Sequence, residues 1–442
     1  SEADDVNAVR RVRNRRMGKR EMEFGKINKA AVREKGYRIL QFAAKAGMYL
    51  IPWRTPEVMR GAGTSRRLPV AVSRKNLKKP LIVTGKTVCA EGLMDGMLET
   101  MESFGLSYMI FDGATPNPTD DEVEAGAAMF RENQCDCMIA FGGGSAIDCA
   151  KAIGAKVARP EKTVRQLQGR LKVLKPIPVL FAVPTTAGSG SETTLSAVIT
   201  EKATLRKAAI TDPVLMPKYV VLDPELTAAL PAQQTAASGM AAFCHAVEAY
   251  INGTYNTKLE NEMACRAVKR IFENLEKACE DGTDLKARQK LQEAAFCAGR
   301  AFARGGLGYA CAAARPLSSL YDISHGYASA ILLPHVLKAY GEAAEKRLAE
   351  LYDACEMAEE SGTGTHEKAE AFIRRIEELK EKTGIPEYPD MIKEEDIDRI
   401  AEWTRDEIGL FSPVPVIWDT AKLKEFIAGL KPVQEEKPEN DN

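Results

Sequence analysis

Cys137-Met138-Ile139-Ala140-Phe141-Gly142-Gly143-Gly144-Ser145-Ala146-Ile147-Asp148-Cys149-Ala150-Lys151-Ala152-Ile153 passes from a short apolar run through three glycines into a helix-forming stretch. That order reads as a buried strand, a tight turn and the start of a helix. Glycines let backbone approach a pyrophosphate closely, and the first turn of a helix offers unpaired N–H groups and a dipole that favours negative charge. The spacing is not GxGxxG, so the usual dinucleotide fingerprint does not apply, and a glycine cluster after a strand also serves as a plain turn. A second loop of similar character, Pro184-Thr185-Thr186-Ala187-Gly188-Ser189-Gly190-Ser191-Glu192, again follows an apolar run. It supplies hydroxyls and glycine N–H groups where ligands of α/β sheets sit.

Around these loops the same pattern repeats. Strand candidates are 81–84, 108–111, 137–141, 179–183 and 220–222, with helical stretches such as 92–104 and 121–133 between them. Continuous apolar strands alternating with helices indicate a parallel sheet covered on both faces, a doubly wound α/β domain. Strand signals stop after Asp223-Pro224, and residues 225–430 read as helices rich in Ala, Leu, Glu and Lys. The expected organisation is an arm over 1–47, a dinucleotide-binding α/β domain over 48–224, an all-helical domain over 225–430 and a polar tail over 431–442. The arm crowds Arg10, Arg11, Arg13, Arg15, Arg16, Lys19 and Arg20 ahead of a helix-like stretch around Tyr37 to Tyr49. It reads as a solvated helix or tail, or as an assembly arm.

Composition excludes several classes of partner. The 442 residues carry a formal net charge of -1, with 45% hydrophobic and 28% charged residues, so nothing points to nucleic acid. No apolar run approaches the ~18 residues of a membrane span, and the charged start reads against a secretory signal. Ten cysteines lack the spacing of a disulfide framework or zinc knuckle, which favours a reducing, cytoplasmic setting.

The two loops in this order, with Thr115-Pro116-Asn117-Pro118-Thr119 upstream, resemble the iron-containing (group III) alcohol dehydrogenase family. Further matching stretches are Asp223-Pro224-Glu225-Leu226-Thr227, His245-Ala246-Val247-Glu248-Ala249-Tyr250, Gly306-Leu307-Gly308, Tyr321-Asp322-Ile323-Ser324-His325-Gly326 and Ile331-Leu332-Leu333-Pro334-His335. The similarity runs from about Tyr49 to residue 430. It implies a dehydroquinate-synthase-like, two-domain architecture with the active site in the interdomain cleft, and hydride transfer between NAD(P)H and an alcohol/aldehyde or ketone pair. It also implies cofactor contacts from Gly142, Gly143, Gly144, Ser145, Asp148, Thr185 and Thr186, and from Lys207 near a ribose. Members are often homo-oligomers, dimers or larger.

Two departures from the family pattern stand out. At the end of the first strand, where NAD-preferring members carry an Asp for the ribose hydroxyl, this chain has Gly85 followed by Lys86. Loss of that carboxylate removes repulsion against a 2′-phosphate, so NADP(H) is expected to be accepted alongside NAD(H). The family's metal ligands are one Asp and three His. Here the Asp position is Ala241, His245 is kept, the next ligand is Cys311, and the last is His325, while a further family His near the reacting carbon is Arg315. A residual His245, Cys311 and His325 set suits zinc better than iron. Arg315 opposes a dication, and takes over its charge if no metal binds, by hydrogen-bonding the carbonyl oxygen or gripping an anionic group. Three readings follow: an alcohol dehydrogenase or aldehyde reductase without the usual iron site, a non-catalytic subunit of the same fold, and a metal-independent reductase of an acidic carbonyl compound. His335 reads as a core residue and His366 as a solvated one.

Overall fold

Leu81, Val83, Met138 and Ala140 point to one side of a sheet, while Ile82, Ile139 and Phe141 point to the other, and all seven are fully buried. Side chains alternate across a strand, so burial of both sets requires cover on both faces. Helices Asp120–Glu132 and Gly144–Ala158 supply one cover, and helices Leu68–Arg74 and Asp95–Ser103 the other. The strands are β1 Glu57–Arg60, β2 Pro80–Val83, β3 Met109–Phe111, β4 Cys137–Gly142, β5 Gly169–Arg170, β6 Val179–Pro184, β7 Ser196–Glu201, β8 Arg206–Thr211 and β9 Tyr219–Leu222. Six of them form a parallel sheet in the order β1-β9-β6-β4-β2-β3. This is a computed structural model, and it describes residues 36–47, 53–204, 206–357, 364–409 and 412–430.

The chain leaves β2 toward β3 on one side and returns to β4 on the other. The strand order therefore reverses between β2 and β4, and a crevice opens at their carboxyl ends. All five strands expected from the sequence lie in this sheet. Unforeseen were the edge strand β1 and a second sheet, β5-β8-β7, in which β7 and β8 form an antiparallel hairpin from Ser196↔Thr211 to Glu201↔Arg206.

Beyond β9 every described element is helical. Ala232–Asn252 is the central helix, flanked by Lys258–Glu280, Leu285–Gly305 and His325–Tyr340. Its alanines and glycines permit close approach of those neighbours, and most of its length is buried. The helical stretch expected near Tyr37 is present over 36–47. Arg38 donates to the carbonyls of Val414 and Pro415 at 3.1 and 2.8 Å, and Gln41 donates to Ser412 at 3.0 Å, which ties this helix to the helical half. The basic part of the arm and the tail 431–442 lie outside the described residues. Among the described residues no helix is long and apolar enough to cross a membrane, and the ten cysteines are free thiols.

Candidate active site

Because the sheet is parallel, the loops after β2, β3, β4 and β6 emerge at one edge. Gly143 caps the helix Gly144–Ala158 with extended backbone, and the Thr185 N–H donates to the Gly142 carbonyl at 3.0 Å. Ser145 donates its hydroxyl to the Pro116 carbonyl at 2.6 Å, joining this loop to the one after β3. Thr186 lies over Gly143, where an added Cβ would stand 3.4 Å from its methyl group. Gly85 opens the short helix Lys86–Ala90 beside the β2/β4 crevice, and Lys86 is exposed. The structure thus brings Gly85, Lys86, Gly142, Gly143, Gly144, Ser145, Thr185 and Thr186 to one crevice.

Asp148 lies on the helix Gly144–Ala158 and Lys207 on β8 of the hairpin beside that crevice. Asp148 is half-buried, and one of its carboxylate oxygens accepts the Val198 N–H at 2.9 Å while the other, itself buried, has no hydrogen-bond partner among the described residues. Burial raises its pKa, opposed first by the charge of Lys151. The visible work of this carboxylate is to hold β7, and through it the strand carrying Lys207. Sequence reasoning missed Lys151, whose ammonium donates to the Ser191, Thr194 and Ser196 carbonyls and to the Thr194 hydroxyl at 2.6 to 3.0 Å. It clamps the second loop to the helix of the first. The available signal was a lysine on the apolar face of a helix, three residues after Asp148.

The second loop also reaches the helical half. A Cβ at Gly188 would stand 2.6 Å from the Ser238 carbonyl oxygen, so the loop lies directly on the helix that carries His245. The Gly188 backbone faces His245 itself.

His245 comes from the central helix, Cys311 from the helix Tyr309–Leu320, and His325 from the first residue of His325–Tyr340. One ligand atom from each lies within 4.8 Å of the other two. The imidazole rings are 6.2 Å apart and inclined by 27°. Burial, and then the charge of Arg315, pushes His245 down to about 4 and His325 well below the ordinary histidine range. Both rings are therefore neutral at pH 7 and offer lone pairs, and among the described residues the buried His245 Nδ1 has no hydrogen-bond partner. The Cys311 thiol is pushed up by burial and then by the neighbouring Glu248. Glu248 caps the helix that bears Cys311, accepting N–H groups of Gly308, Ala310 and Cys311 at 2.9, 2.7 and 3.3 Å.

Two neutral imidazoles and one thiol could hold a borderline dication such as zinc, which displaces the thiol proton on binding. They fit the carboxylate-containing iron set less well. At Ala241 the methyl group faces the start of the His325 helix, where a Cβ on Gly326 would come 2.8 Å from it. Arg315 stands one turn beyond Cys311 and forms an ion pair with Glu407 of the helix Ile397–Ile408. It lines an open cleft of about 490 Å³ together with Arg206, Lys207, Trp403, Asp406 and Glu407. His335 is bonded to the Glu387 carbonyl at 2.8 Å, and His366 is exposed between Glu345 and Glu370, both away from this site.

Comparisons with known proteins match this geometry. The 1,3-propanediol dehydrogenase of Klebsiella pneumoniae is 39% identical over 341 residues, covering 76% of this chain and 87% of that protein. The NAD-dependent methanol dehydrogenase of Bacillus methanolicus is 36% identical over 350 residues, covering 78% and 91%. A crystal structure of 1,3-propanediol oxidoreductase superposes with a TM-score of 0.81 at 34% identity, over 86% of this chain and 99% of that one. Residues 55–224 match the family model for iron-containing alcohol dehydrogenase, and 235–416 match the C-terminal model of the same family. Glycine loops at the sheet's switch point, a helical half bearing the donor cluster and matches over both halves lead to one assignment: the chain belongs to the iron-containing alcohol dehydrogenase family.

Proposed function

We propose that this protein interconverts an alcohol and an aldehyde or ketone with a nicotinamide cofactor seated over the loops 142–145 and 184–186. The observation that carries the reading is the contact of Gly188 with the His245 helix, since it joins the anion-favouring loops to the donor cluster. In the reducing direction a hydride passes from the dihydronicotinamide to the carbonyl carbon, and a proton completes the alcohol. Helix 144–158 meets the pyrophosphate with its N-terminal N–H groups, and Thr185 and Thr186 bound the same space. Gly85 leaves room and no opposing charge for a 2′-phosphate, so NADP(H) is used as well as NAD(H).

His245, Cys311 and His325 would hold the metal ion in place of the family's Asp and three His. Such an ion, when bound, polarises the substrate oxygen. The chain's own contribution is to keep both imidazoles neutral by burial and to fix Cys311 through Glu248. Arg315 supplies positive charge beside this cluster, and in the absence of metal it would be a donor for a developing alkoxide.

Elemental analysis of the purified protein, run beside NADPH and NADH oxidation with a panel of aldehydes and ketones, tests the reading. The expected result is turnover with at least one aldehyde and a zinc content above that of iron. Failure to bind or oxidise either cofactor overturns the enzymatic reading, and stoichiometric iron overturns the assignment of the ligand set.

A further inference from the structure

The cleft beside the donor cluster has an unusual charge arrangement. It is walled by β8 with Arg206 and Lys207, by the helix Tyr309–Leu320 with Arg315, and by the helix Ile397–Ile408 with Trp403, Asp406 and Glu407. Three cationic side chains thus face two anionic ones. Arg206 and Asp406 are exposed and 3.9 Å apart, a pair that water screens strongly. Deeper in, Arg315 is bound to Glu407 through a single terminal nitrogen, so among the described residues the rest of its five-donor fork remains for another acceptor. Lys207 is half-buried, and among the described residues its hydrogen-bond partner is the neutral hydroxyl of Ser318 at 3.1 Å. No carboxylate among the described residues forms an ion pair with it.

Burial and then the charge of Arg315 lower the pKa of Lys207, and both cations act on His325. Two cations that repel each other beside His325, one of them in no ion pair among the described residues and offset only by the charge of Asp322, are stabilised by an incoming anion. We infer that Lys207 and Arg315 form an anion subsite, so that the preferred substrate carries a carboxylate or sulfonate as well as its carbonyl or hydroxyl group. Glu407 is then the internal carboxylate that the substrate's acid group displaces from Arg315, and Trp403 is the apolar wall beside the carbon chain. This inference rests on the alcohol–carbonyl reading above. The same pair of cations would also attract the 2′-phosphate of NADP(H), and the experiment separates the two sources.

The test compares 4-oxobutanoate with butanal, each with NADPH and with NADH, in the full-length protein and in its Lys207→Gln and Glu407→Gln variants. Succinate, which cannot be reduced here, is titrated calorimetrically into each protein. The acid is expected to exceed the neutral aldehyde in kcat/KM by roughly tenfold or more, as one charge-assisted hydrogen bond allows. Lys207→Gln should cut the acid-to-neutral ratio about tenfold through KM and weaken succinate, while Glu407→Gln should raise the ratio and tighten succinate. Equal or better turnover of butanal, with succinate binding the same in all three proteins, overturns the subsite. A Lys207→Gln variant that shifts the NADPH-to-NADH ratio and leaves the acid-to-neutral ratio alone assigns the cations to the cofactor phosphate instead, which also overturns it. If neither aldehyde is turned over with either cofactor, the oxidoreductase reading falls, and the succinate titrations alone decide the subsite.

Discussion

A carboxylate at position 241 would stand one helical turn before His245, against the first turn of the His325 helix. In this chain the position is a buried methyl group, and its neighbour Gly326 is packed too closely for any larger residue on that side. The double substitution Ala241→Asp with Cys311→His rebuilds the family's ligand types, and it is expected to raise the iron retained through purification. Without metal, the same buried carboxylate loses its paired ion, keeps only the nearby charge of Arg315, and should destabilise the fold by roughly 3 kcal/mol. Denaturation with and without a chelator reads this directly: the variant's midpoint should drop in chelator far more than the parent's. Equal iron content in the two proteins would remove the ligand reading. Gly85 supports a second expectation. Its Cβ would meet the Ala114 carbonyl oxygen at 3.0 Å, so Gly85→Asp fits only if that backbone yields by a few tenths of an ångström. The added carboxylate should lower NADPH use relative to NADH by about tenfold or more, measured as the ratio of kcat/KM values. These positions stood out in the sequence only through the family resemblance, whose motifs set them against the expected Asp and His. Glu407, by contrast, reaches Arg315 from 92 positions along the chain, and no local pattern announces it.

At the scale of elements, the parallel strands were legible because burial on both faces leaves an unbroken apolar run. The β7–β8 hairpin was not, for two physical reasons. Ser196–Glu201 and Arg206–Thr211 alternate only loosely between buried and half-buried positions, and the turn after Glu201 has no Asn-Gly or Asp-Gly signal. Its place is fixed by distant groups instead: Asp148 bonds Val198, and Lys151 gathers the carbonyls of Ser191, Thr194 and Ser196. Glu192 lies in the same buried segment, where burial pushes its carboxyl from 4.5 up to about 7. A carboxyl whose folded pKa lies above its unfolded value binds its proton more tightly when folded, so stability falls as pH rises through that window. Glu192→Gln removes the titration and keeps the shape. The variant should gain roughly 1 to 3 kcal/mol over the parent at pH 8 and show little difference near pH 4.5, by urea denaturation at both values. A constant difference across that range would mean that Glu192 is ionised in the folded protein.

The molecule is two halves joined at a cleft, a sheet with a core on each face and a helical half with its own core, and the loops that favour phosphate belong to the first while the donor cluster belongs to the second. Contacts across the junction are both polar and close-packed, and Gln292 bonds the carbonyls of Pro184 and Asp223. Lys207 bonds Ser318, Arg206 faces Asp406, the backbone of Gly188 is pressed onto the central helix, and Gly190 is pressed onto Gly299 of the helix Leu285–Gly305. A dinucleotide lying along the strand ends toward His245 would bridge the two halves, and ligand that binds only the folded state stabilises it by mass action. At a hundredfold excess over its dissociation constant that stabilisation is about 2.7 kcal/mol, a rise of a few degrees in the unfolding midpoint for a chain of this size. NADPH should produce the shift, and a variant with Gly144→Val should lose it, because a Cβ at 144 already collides with the Ser189 side chain at 2.5 Å and closes the loop. A non-catalytic subunit that kept only the fold predicts the opposite: no midpoint shift with either nicotinamide cofactor, and no difference between parent and variant beyond the strain of the substitution itself. The measurement needs no substrate, so it decides whether the loops still bind their cofactor before the nature of the chemistry is known.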